Sequence, residues 1–156
     1  AQSVVQAVIN NSENFVAQKS AQTIASAIAI ANPLDGLKAI AAIKNTSGDA
    51  KAVSDLQMLE AQYELSRSEG LFVEPSSAAT FAALKLVVKE DKNIEKYQNK
   101  RIVCVLTGDG LKDPASFLRV ALKPPTISPL VEEFMQLYKK DFFVSKAVCF
   151  SERSEI

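Results

Sequence analysis

Apolar positions follow two different spacings along this chain, and the changes of spacing predict its architecture. Apolar residues recur at helical spacing over 37–44, 55–69 and 77–89, whereas 71–73 and 102–107 are short continuous apolar runs. A run such as 102–107 is typical of a strand buried on both faces in a parallel sheet. Because strands and helices alternate, the sequence predicts an α/β fold, a partial parallel sheet flanked by helices.

Local signals at the helix ends refine this prediction. Ser54 followed by Gln57 forms a capping-box pattern, and Gly70 stands where a left-handed C-terminal cap is favoured. These signals predict a helix over 55–69. Its predicted buried face consists of Leu56, Leu59 and Tyr63.

Weaker signals predict the remaining elements. Helices are expected over 3–10, over 22–31, from Asn32-Pro33 to Gly48, and from Pro114 onward, and a short strand is expected at 50–53. Residues 128–140 form an amphipathic pattern, with apolar positions expected to face the protein at Leu130, Val131, Phe134, Leu137 and Tyr138. Phe142, Phe143 and Val144 would dock with this helix. The helix-breaking Lys123-Pro124-Pro125 divides the chain into a main part, 1–125, and a C-terminal helix and tail, 126–156.

Composition excludes several classes of function. Eighteen basic and eighteen acidic residues cancel, and no basic stretch is interleaved with aromatics, so we expect no nucleic-acid partner. No apolar run is long enough for a membrane span. The absence of histidine removes Ser-His-Asp and Cys-His catalysis and most zinc sites, and we expect no metal. The two cysteines do not make a disulfide framework, which agrees with a cytoplasmic location.

The end of the apolar run at 102–107 is the strongest candidate for chemistry. Thr107 is followed by Gly108 and Gly110, and residues without a Cβ allow a sharp turn and a close approach of backbone to a ligand. In open parallel sheets, ligands bind beyond the carboxyl ends of the strands. The Thr107 hydroxyl is therefore placed where a ligand would be, and Asp113 before Pro114 is the predicted N-cap of the next helix.

Four blocks of sequence resemble the threonine synthases, enzymes of the pyridoxal-phosphate (PLP) dependent fold type II group. In family order they are TIASAIAIANP at 23–33, AVSDLQMLEAQ at 52–62, EGLFVEPSSAATFAALKL at 69–86 and LTGDGLKDP at 106–114. The resemblance extends to about residue 125. It implies an enzyme that converts O-phospho-L-homoserine and water to L-threonine and phosphate, with PLP as cofactor.

The resemblance also implies that this chain corresponds to the C-terminal part of the large domain of such an enzyme. The family's Schiff-base lysine motif and its glycine- and asparagine-rich phosphate loop have no match here. We therefore expect the chain to be inactive alone, to bind PLP weakly, and to require the missing N-terminal part in a homo-oligomer. A proteolytic product, a deliberately made piece and a split gene remain open. So do two other functions: a segment of a related PLP-dependent dehydratase or synthase, and a non-catalytic fragment that self-associates.

The resemblance assigns roles to three residues. Thr107 would hydrogen-bond the ring nitrogen of the cofactor, Glu74 would lie close to the ring, and Gly108 would let the backbone approach it. From the sequence alone, Thr107 could instead cap a backbone group at the end of a strand. Glu74 could serve only as a carboxylate at a helix N-terminus, worth about 0.3–1 kcal/mol. Ser76 and Ser77 are predicted as helix caps rather than as catalytic residues.

Overall fold

The computed structural model describes residues 2–90, 97–119 and 125–139. Within these ranges it contains six α-helices: α1 Ser3–Ile9, α2 Gly36–Asn45, α3 Asp55–Glu69, α4 Pro75–Glu90, α5 Pro114–Leu118 and α6 Val131–Lys139. Two short 3-10 helices lie at Ser26–Ile28 and Gly110–Lys112. The predictions for Lys123-Pro124 and for Phe142 to Val144 lie outside the described residues.

The predicted ends of α3 are confirmed. The Gln57 backbone N–H donates to Ser54 Oγ at 3.2 Å, and the Ser54 backbone N–H donates to Gln57 Oε1 at 2.8 Å. This reciprocal pair satisfies donors that the first helical turn would otherwise leave without partners. At the other end, Gly70 adopts the left-handed conformation, with φ of 68°.

Packing of α3 on α4 forms the core that supports the rest of the described chain. Small side chains, including Ala61, Ala78 and Ala82, allow the helices to approach closely, and all three are buried. Of the predicted buried face of α3, Leu59 is fully buried but Leu56 is 37% exposed. The buried face of α3 consists of Met58, Leu59, Ala61, Gln62 and Leu65. It differs from the prediction because the position of α4 decides which stripe of α3 is covered.

A buried glutamine ties α3 to the segment that precedes α4. Gln62 is completely buried, and its Nε2 donates to the Val73 carbonyl at 2.6 Å. A buried carbonyl without a partner would be costly, and here a side chain replaces the bond that a sheet partner would provide. Val73 is therefore held against α3 although it lies in no strand ladder.

The predicted helix over 22–31 is wrong, since only the 3-10 turn Ser26–Ile28 forms there. The Asp55 carboxylate accepts hydrogen bonds from Thr23 Oγ1 at 2.6 Å and from the Ile24 backbone N–H at 3.1 Å. Thr23 therefore bonds to a distant residue instead of capping a local helix. These long-range bonds fix the backbone where the predicted helix would begin.

The limits of α2 also differ from the prediction. The helix begins at Gly36 rather than at Asn32-Pro33, because Pro33 lies in a turn whose carbonyl accepts from the Gly36 N–H at 3.2 Å. At the other end, Ser47 rather than Gly48 adopts a positive φ, of 52°. Gly48 then donates its N–H to the Ile43 carbonyl at 2.7 Å, so the helix still ends near the predicted position.

The predicted parallel sheet is not confirmed. In the described ranges, 50–53, 71–73 and 102–107 form no strand ladder, and one antiparallel bridge joins Val73 to Asp109. The prediction that 102–107 is buried on both faces is wrong for this chain, since Val103 is 83% exposed and Val105 is 64% exposed.

The side chains of this run are nevertheless divided between two environments. Cys104 and Leu106 are partly buried, and Leu106 packs against the α3–α4 core, whereas Val103 and Val105 are exposed. Alternation of this kind is typical of an extended segment. The run is covered on one side only, because the described part of the chain supplies a helical core beneath it and no second layer above it.

The C-terminal helix is confirmed as α6, but of the five apolar positions predicted to face the protein only Leu137 is partly buried. Leu130, Val131, Phe134 and Tyr138 are between 45% and 71% exposed. Phe134 and Tyr138 stack on each other with ring centroids 6.2 Å apart. No helix within the described ranges combines the length and the apolar character that a membrane span requires.

We expect the isolated chain to self-associate through its exposed apolar surface, because Val103 and Val105 form an uncovered side of an extended segment. Sedimentation velocity at micromolar concentration and binding of a hydrophobic dye measure this. Changing both valines to threonine should reduce both signals while keeping the β-branched shape.

The matched control changes Val16 and Val88, which are exposed elsewhere at 86% and 52%, to threonine. This control should leave association unchanged. A monomer that binds no dye would show that the extended segment is not an interaction surface.

Candidate functional site

The candidate site is built where the turn after residue 107 lies against the segment that leads into α4. The Glu74 backbone N–H donates to the Gly108 carbonyl at 3.1 Å, and the Gly110 N–H donates to the Phe72 carbonyl at 3.0 Å. Together with the bridge between Val73 and Asp109, these bonds join two segments more than thirty residues apart. The turn therefore has a fixed position relative to α4.

Two glycines make this contact possible. A Cβ on Gly108 would lie 2.8 Å from Glu74 Cγ and closer still to the Glu74 carboxylate. A Cβ on Gly110 would lie 2.7 Å from ring atoms of Phe72. The expected function of Gly108 was to admit a ligand, whereas in the structure the space without a Cβ is filled by the Glu74 side chain.

Glu74 is a nearly buried carboxylate at the start of a helix. Glu74 is 9% exposed, and its backbone carbonyl accepts hydrogen bonds from the N–H groups of Ser77 and Ala78, both at 3.0 Å. No lysine or arginine in the described ranges forms an ion pair with it. The residue directly precedes the first turn of α4, whose N–H groups carry a partial positive charge. It can therefore present negative charge, or accept a hydrogen bond, beside the turn.

Ser77 connects α4 to the turn and is the residue whose importance the sequence analysis missed. It is 1% exposed, and its Oγ accepts a hydrogen bond from the Gly108 N–H at 2.7 Å. The same oxygen lies 3.2 Å from the Gly108 carbonyl and 3.2 Å from Thr107 Oγ1. The predicted helix-cap role is wrong, because the hydroxyl bonds to the distant turn. The sequence feature that could have indicated this role is the spacing of Ser77, three residues after Glu74, which places both residues on the same side at the start of the helix.

Thr107 lies at the open side of this cluster. The residue is exposed, and its hydroxyl pairs with Ser77 Oγ rather than with a backbone group in the described part of the chain. The simple capping alternative for Thr107 is therefore not observed. The structure brings together all three predicted site residues, Thr107, Gly108 and Glu74, and adds Ser77 to them.

The two aspartates that follow act locally. Asp109 Oδ1 accepts from the Leu111 N–H at 2.8 Å and begins the short 3-10 helix. Asp113 accepts from both the N–H and the hydroxyl of Ser116, at 3.3 and 2.6 Å, which confirms it as the N-cap of α5. These caps fix the path of the chain beyond the turn.

None of the five best-formed cavities in the described part of the chain is lined by residues of the cluster. A cavity of about 680 Å³ lies elsewhere, between α1, the start of α3 and α4, and Thr23, Asp55 and Thr80 are among its lining residues. None of its lining residues belongs to the cluster. A ligand at Thr107 would thus contact this chain on one side and would need an opposite wall.

Comparison with known proteins places the cluster within a matched region. The model of the family described as "Pyridoxal-phosphate dependent enzyme" matches residues 2–108. The threonine synthase of Methanocaldococcus jannaschii is 42% identical over 124 residues, which is 80% of this chain and 30% of that protein. That of Methanosarcina acetivorans is 34% identical over 129 residues, 83% of this chain and 31% of that protein. The threonine synthase of Synechocystis is 43% identical over 93 residues, which is 60% of this chain and 23% of that protein.

The contact between Gly108 and Glu74 predicts that Gly108→Ala destabilises the protein. The added methyl group would overlap the Glu74 side chain, and overpacking of this kind costs about 1–3 kcal/mol in the free energy of unfolding. Urea denaturation followed by circular dichroism measures the change.

A double-mutant cycle with Glu74→Ala tests the cause. Removing the Glu74 side chain should relieve the overlap, so the double variant should be more stable than the sum of the single changes predicts, by at least about 0.5 kcal/mol. Additive effects would mean that the methyl group disturbs the backbone rather than Glu74.

Proposed function

The chain belongs to the family of pyridoxal-phosphate dependent enzymes, and we propose that it is a segment of a threonine synthase. The reaction would convert O-phospho-L-homoserine and water to L-threonine and phosphate. The observation that carries the proposal is the cluster of Thr107, Gly108, Glu74 and Ser77, which falls inside the region that matches the family. Identities of 34–42% to two archaeal threonine synthases favour this enzyme over a related dehydratase.

The residues of the cluster fit the ring end of the cofactor. A pyridine nitrogen needs one hydrogen-bonding partner, and Thr107 is an exposed hydroxyl held at a fixed turn. A neutral hydroxyl does not keep the ring nitrogen protonated, as a carboxylate would. Glu74 would lie beside the ring. Gly108 would keep the turn in contact with Glu74, so that Thr107 and Glu74 hold fixed positions relative to each other.

When bound, the cofactor supplies the electron withdrawal that allows protons to leave carbon atoms of the substrate. In this proposal the segment contributes three things to that chemistry. Thr107 orients the ring through its nitrogen, Glu74 adds negative charge near the ring, and the α3–α4 core keeps both rigid. The phosphate group of the cofactor and the lysine that anchors it would be bound by other parts of the enzyme.

The extent of the chain defines what else the proposal requires. The chain spans about 30% of the length of the two archaeal relatives it matches. The opposite wall of the site would come from the N-terminal part of the same enzyme, and the exposed valines at 103 and 105 would be covered in that assembly. We also propose that the complete enzyme is a cytoplasmic homo-oligomer; the free thiol of Cys104 is compatible with a reducing compartment.

The exposed apolar surface also supports a second candidate function, a self-associating interaction module. Val103, Val105 and the apolar residues of α6 are exposed, and exposed apolar patches mark interaction sites. In this alternative the segment would associate with itself without any need for cofactor. The two candidates differ in whether the cluster at Thr107 contributes to a reaction.

We expect the isolated chain to have no threonine synthase activity, because the Schiff-base lysine and the phosphate loop lie outside it. Incubation with PLP and O-phosphohomoserine, followed by an assay of released phosphate, measures this. A longer protein that contains the segment serves as the positive control. Turnover by the isolated chain at the rate of that protein would contradict the segment proposal.

In the complete enzyme, Thr107→Val should lower kcat/KM by about 5- to 150-fold while the fold is retained. Valine keeps the shape but removes the hydroxyl, and the loss of a partner for a buried acceptor costs about 1–3 kcal/mol. The absorbance spectrum of the bound cofactor should change as well, which separates a change at the ring from a general loss of activity.

Thr46→Val is the matched control, since in the described ranges the Thr46 hydroxyl bonds only to backbone carbonyls at the end of α2, at 2.9 and 3.1 Å. It should lower stability slightly without changing the cofactor spectrum. If Thr107→Val gives wild-type kcat/KM and a wild-type spectrum, Thr107 is not the partner of the ring nitrogen.

A further inference from the structure

Gln62 is a fully buried polar side chain, and only one end of its amide has a partner in the described ranges. Its Nε2 donates to the Val73 carbonyl at 2.6 Å. Its Oε1 is buried as well and accepts no hydrogen bond from the described part of the chain. A buried acceptor without a partner costs free energy, and this cost offsets the gain from the bond to Val73.

An apolar side chain would be the ordinary occupant of this position on α3. The other four buried residues of the helix are apolar: Met58, Leu59, Ala61 and Leu65. An apolar side chain of the same length at position 62 would remove the cost at Oε1 and create a similar cost at the Val73 carbonyl. Because the two changes oppose each other, the overall stability of the fold gives little reason for a glutamine here.

The bond from Gln62 instead holds the middle of a short backbone segment. The two backbone bonds that join 72–74 to the turn at 108–110 are made by the residues on either side of Val73, at 3.1 and 3.0 Å. The Val73 carbonyl takes no part in them and accepts from Gln62. The segment is therefore held along both edges, by the turn on one edge and by α3 on the other.

Two members of the cluster depend on the position of this segment. Glu74 belongs to the segment, and its side chain fills the space beside Gly108. Thr107 directly precedes the turn to which the segment is bonded. If 72–74 moved away from α3, the Glu74 carboxylate and the Thr107 hydroxyl would lose their fixed relation to the helical core.

We propose that Gln62 is a positioning residue of the candidate site. By holding the Val73 carbonyl it fixes 72–74 against the turn, and so places Glu74 and Thr107, with little net effect on the stability of the fold. The consequence of this placement for a cofactor rests on the proposed function, whereas the placement itself is a property of this chain.

Hydrogen exchange of the 156-residue chain, resolved to single amides by mass spectrometry, tests the proposal. Gln62→Met keeps the length of the side chain and removes both polar atoms. The N–H groups of Glu74 and Gly110, which form the two bonds to the turn, should exchange about 5- to 150-fold faster, the effect of leaving a buried acceptor without a partner. The amides of Ala61 and Ala82, inside α3 and α4, should exchange at the wild-type rate, and the urea midpoint of unfolding should change little.

Leu59→Val is the matched control on the same helix. Leu59 is fully buried, and shortening it removes packing without changing the bond to the Val73 carbonyl. This variant should lower the urea midpoint, and any faster exchange should include Ala61 and Ala82 instead of selecting Glu74 and Gly110.

Three results would overturn the inference: Gln62→Met leaves exchange at Glu74 and Gly110 unchanged, speeds exchange at all four amides alike, or does not fold. The last two would mean that Gln62 stabilises the core as a whole.

The cofactor spectrum of Thr107→Val in the complete enzyme decides the proposed function separately. If that spectrum changes and the exchange effect of Gln62→Met is not selective, the proposed function stands and the inference fails. If the exchange effect is selective and the Thr107→Val spectrum is that of the wild type, Gln62 positions the turn and the proposed function fails at Thr107.

Discussion

The close contact between two backbone segments, made possible by glycine, is the constraint on which the candidate site depends. Gly108 and Gly110 let the turn reach the segment before α4, where it is held by bonds of 3.1 and 3.0 Å to Glu74 and Phe72. A Cβ at either glycine would overlap a side chain of the other segment, that of Glu74 or of Phe72. Thr107, which comes directly before the turn, is in the site because this contact places it there.

Hydrogen bonds from the helix pair α3 and α4 hold that contact in place. Gln62 on α3 bonds to the Val73 carbonyl at 2.6 Å, and Ser77 on α4 bonds to the Gly108 N–H at 2.7 Å. Each side of the contact is therefore tied to a different helix of the core. Because polar groups buried in a core are costly to leave without partners, we expect both hydrogen bonds to stay formed in the folded protein. The geometry around Thr107 is consequently set by well-packed helices and not by the turn alone.

The same arrangement explains why the site is open. The helical core covers one side of residues 102–107 through Leu106, and the described chain offers nothing to cover Val103 and Val105 on the other side. The segment matches about 30% of its archaeal relatives. A site with one wall and an extended segment with one covered side are both expected where the complementary part belongs to a longer protein. Under the proposed function, the exposed valines and the exposed Thr107 would both face the N-terminal part of the enzyme.

The sequence by itself determined the elements whose causes are local. The Ser54–Gln57 capping box, the left-handed Gly70 and the Asp113 cap each involve residues at most three positions apart, or one residue alone, so their patterns predicted α3 and the start of α5 correctly. The family resemblance also predicted Thr107, Gly108 and Glu74 as cofactor-binding residues, and the structure brings these three residues together.

Only the tertiary structure decided what depends on distant partners. Where the helix predicted over 22–31 would begin, Thr23 bonds instead to Asp55, 32 residues away. Ser77 bonds to Gly108, 31 residues away, and so belongs to the site instead of capping α4. The apolar run at 102–107 predicted burial, but burial needs a neighbour on each side, and its sequence carries no information on whether both neighbours are present. Hydrophobic pattern determines which residues can be buried, whereas the packing partners determine which ones are.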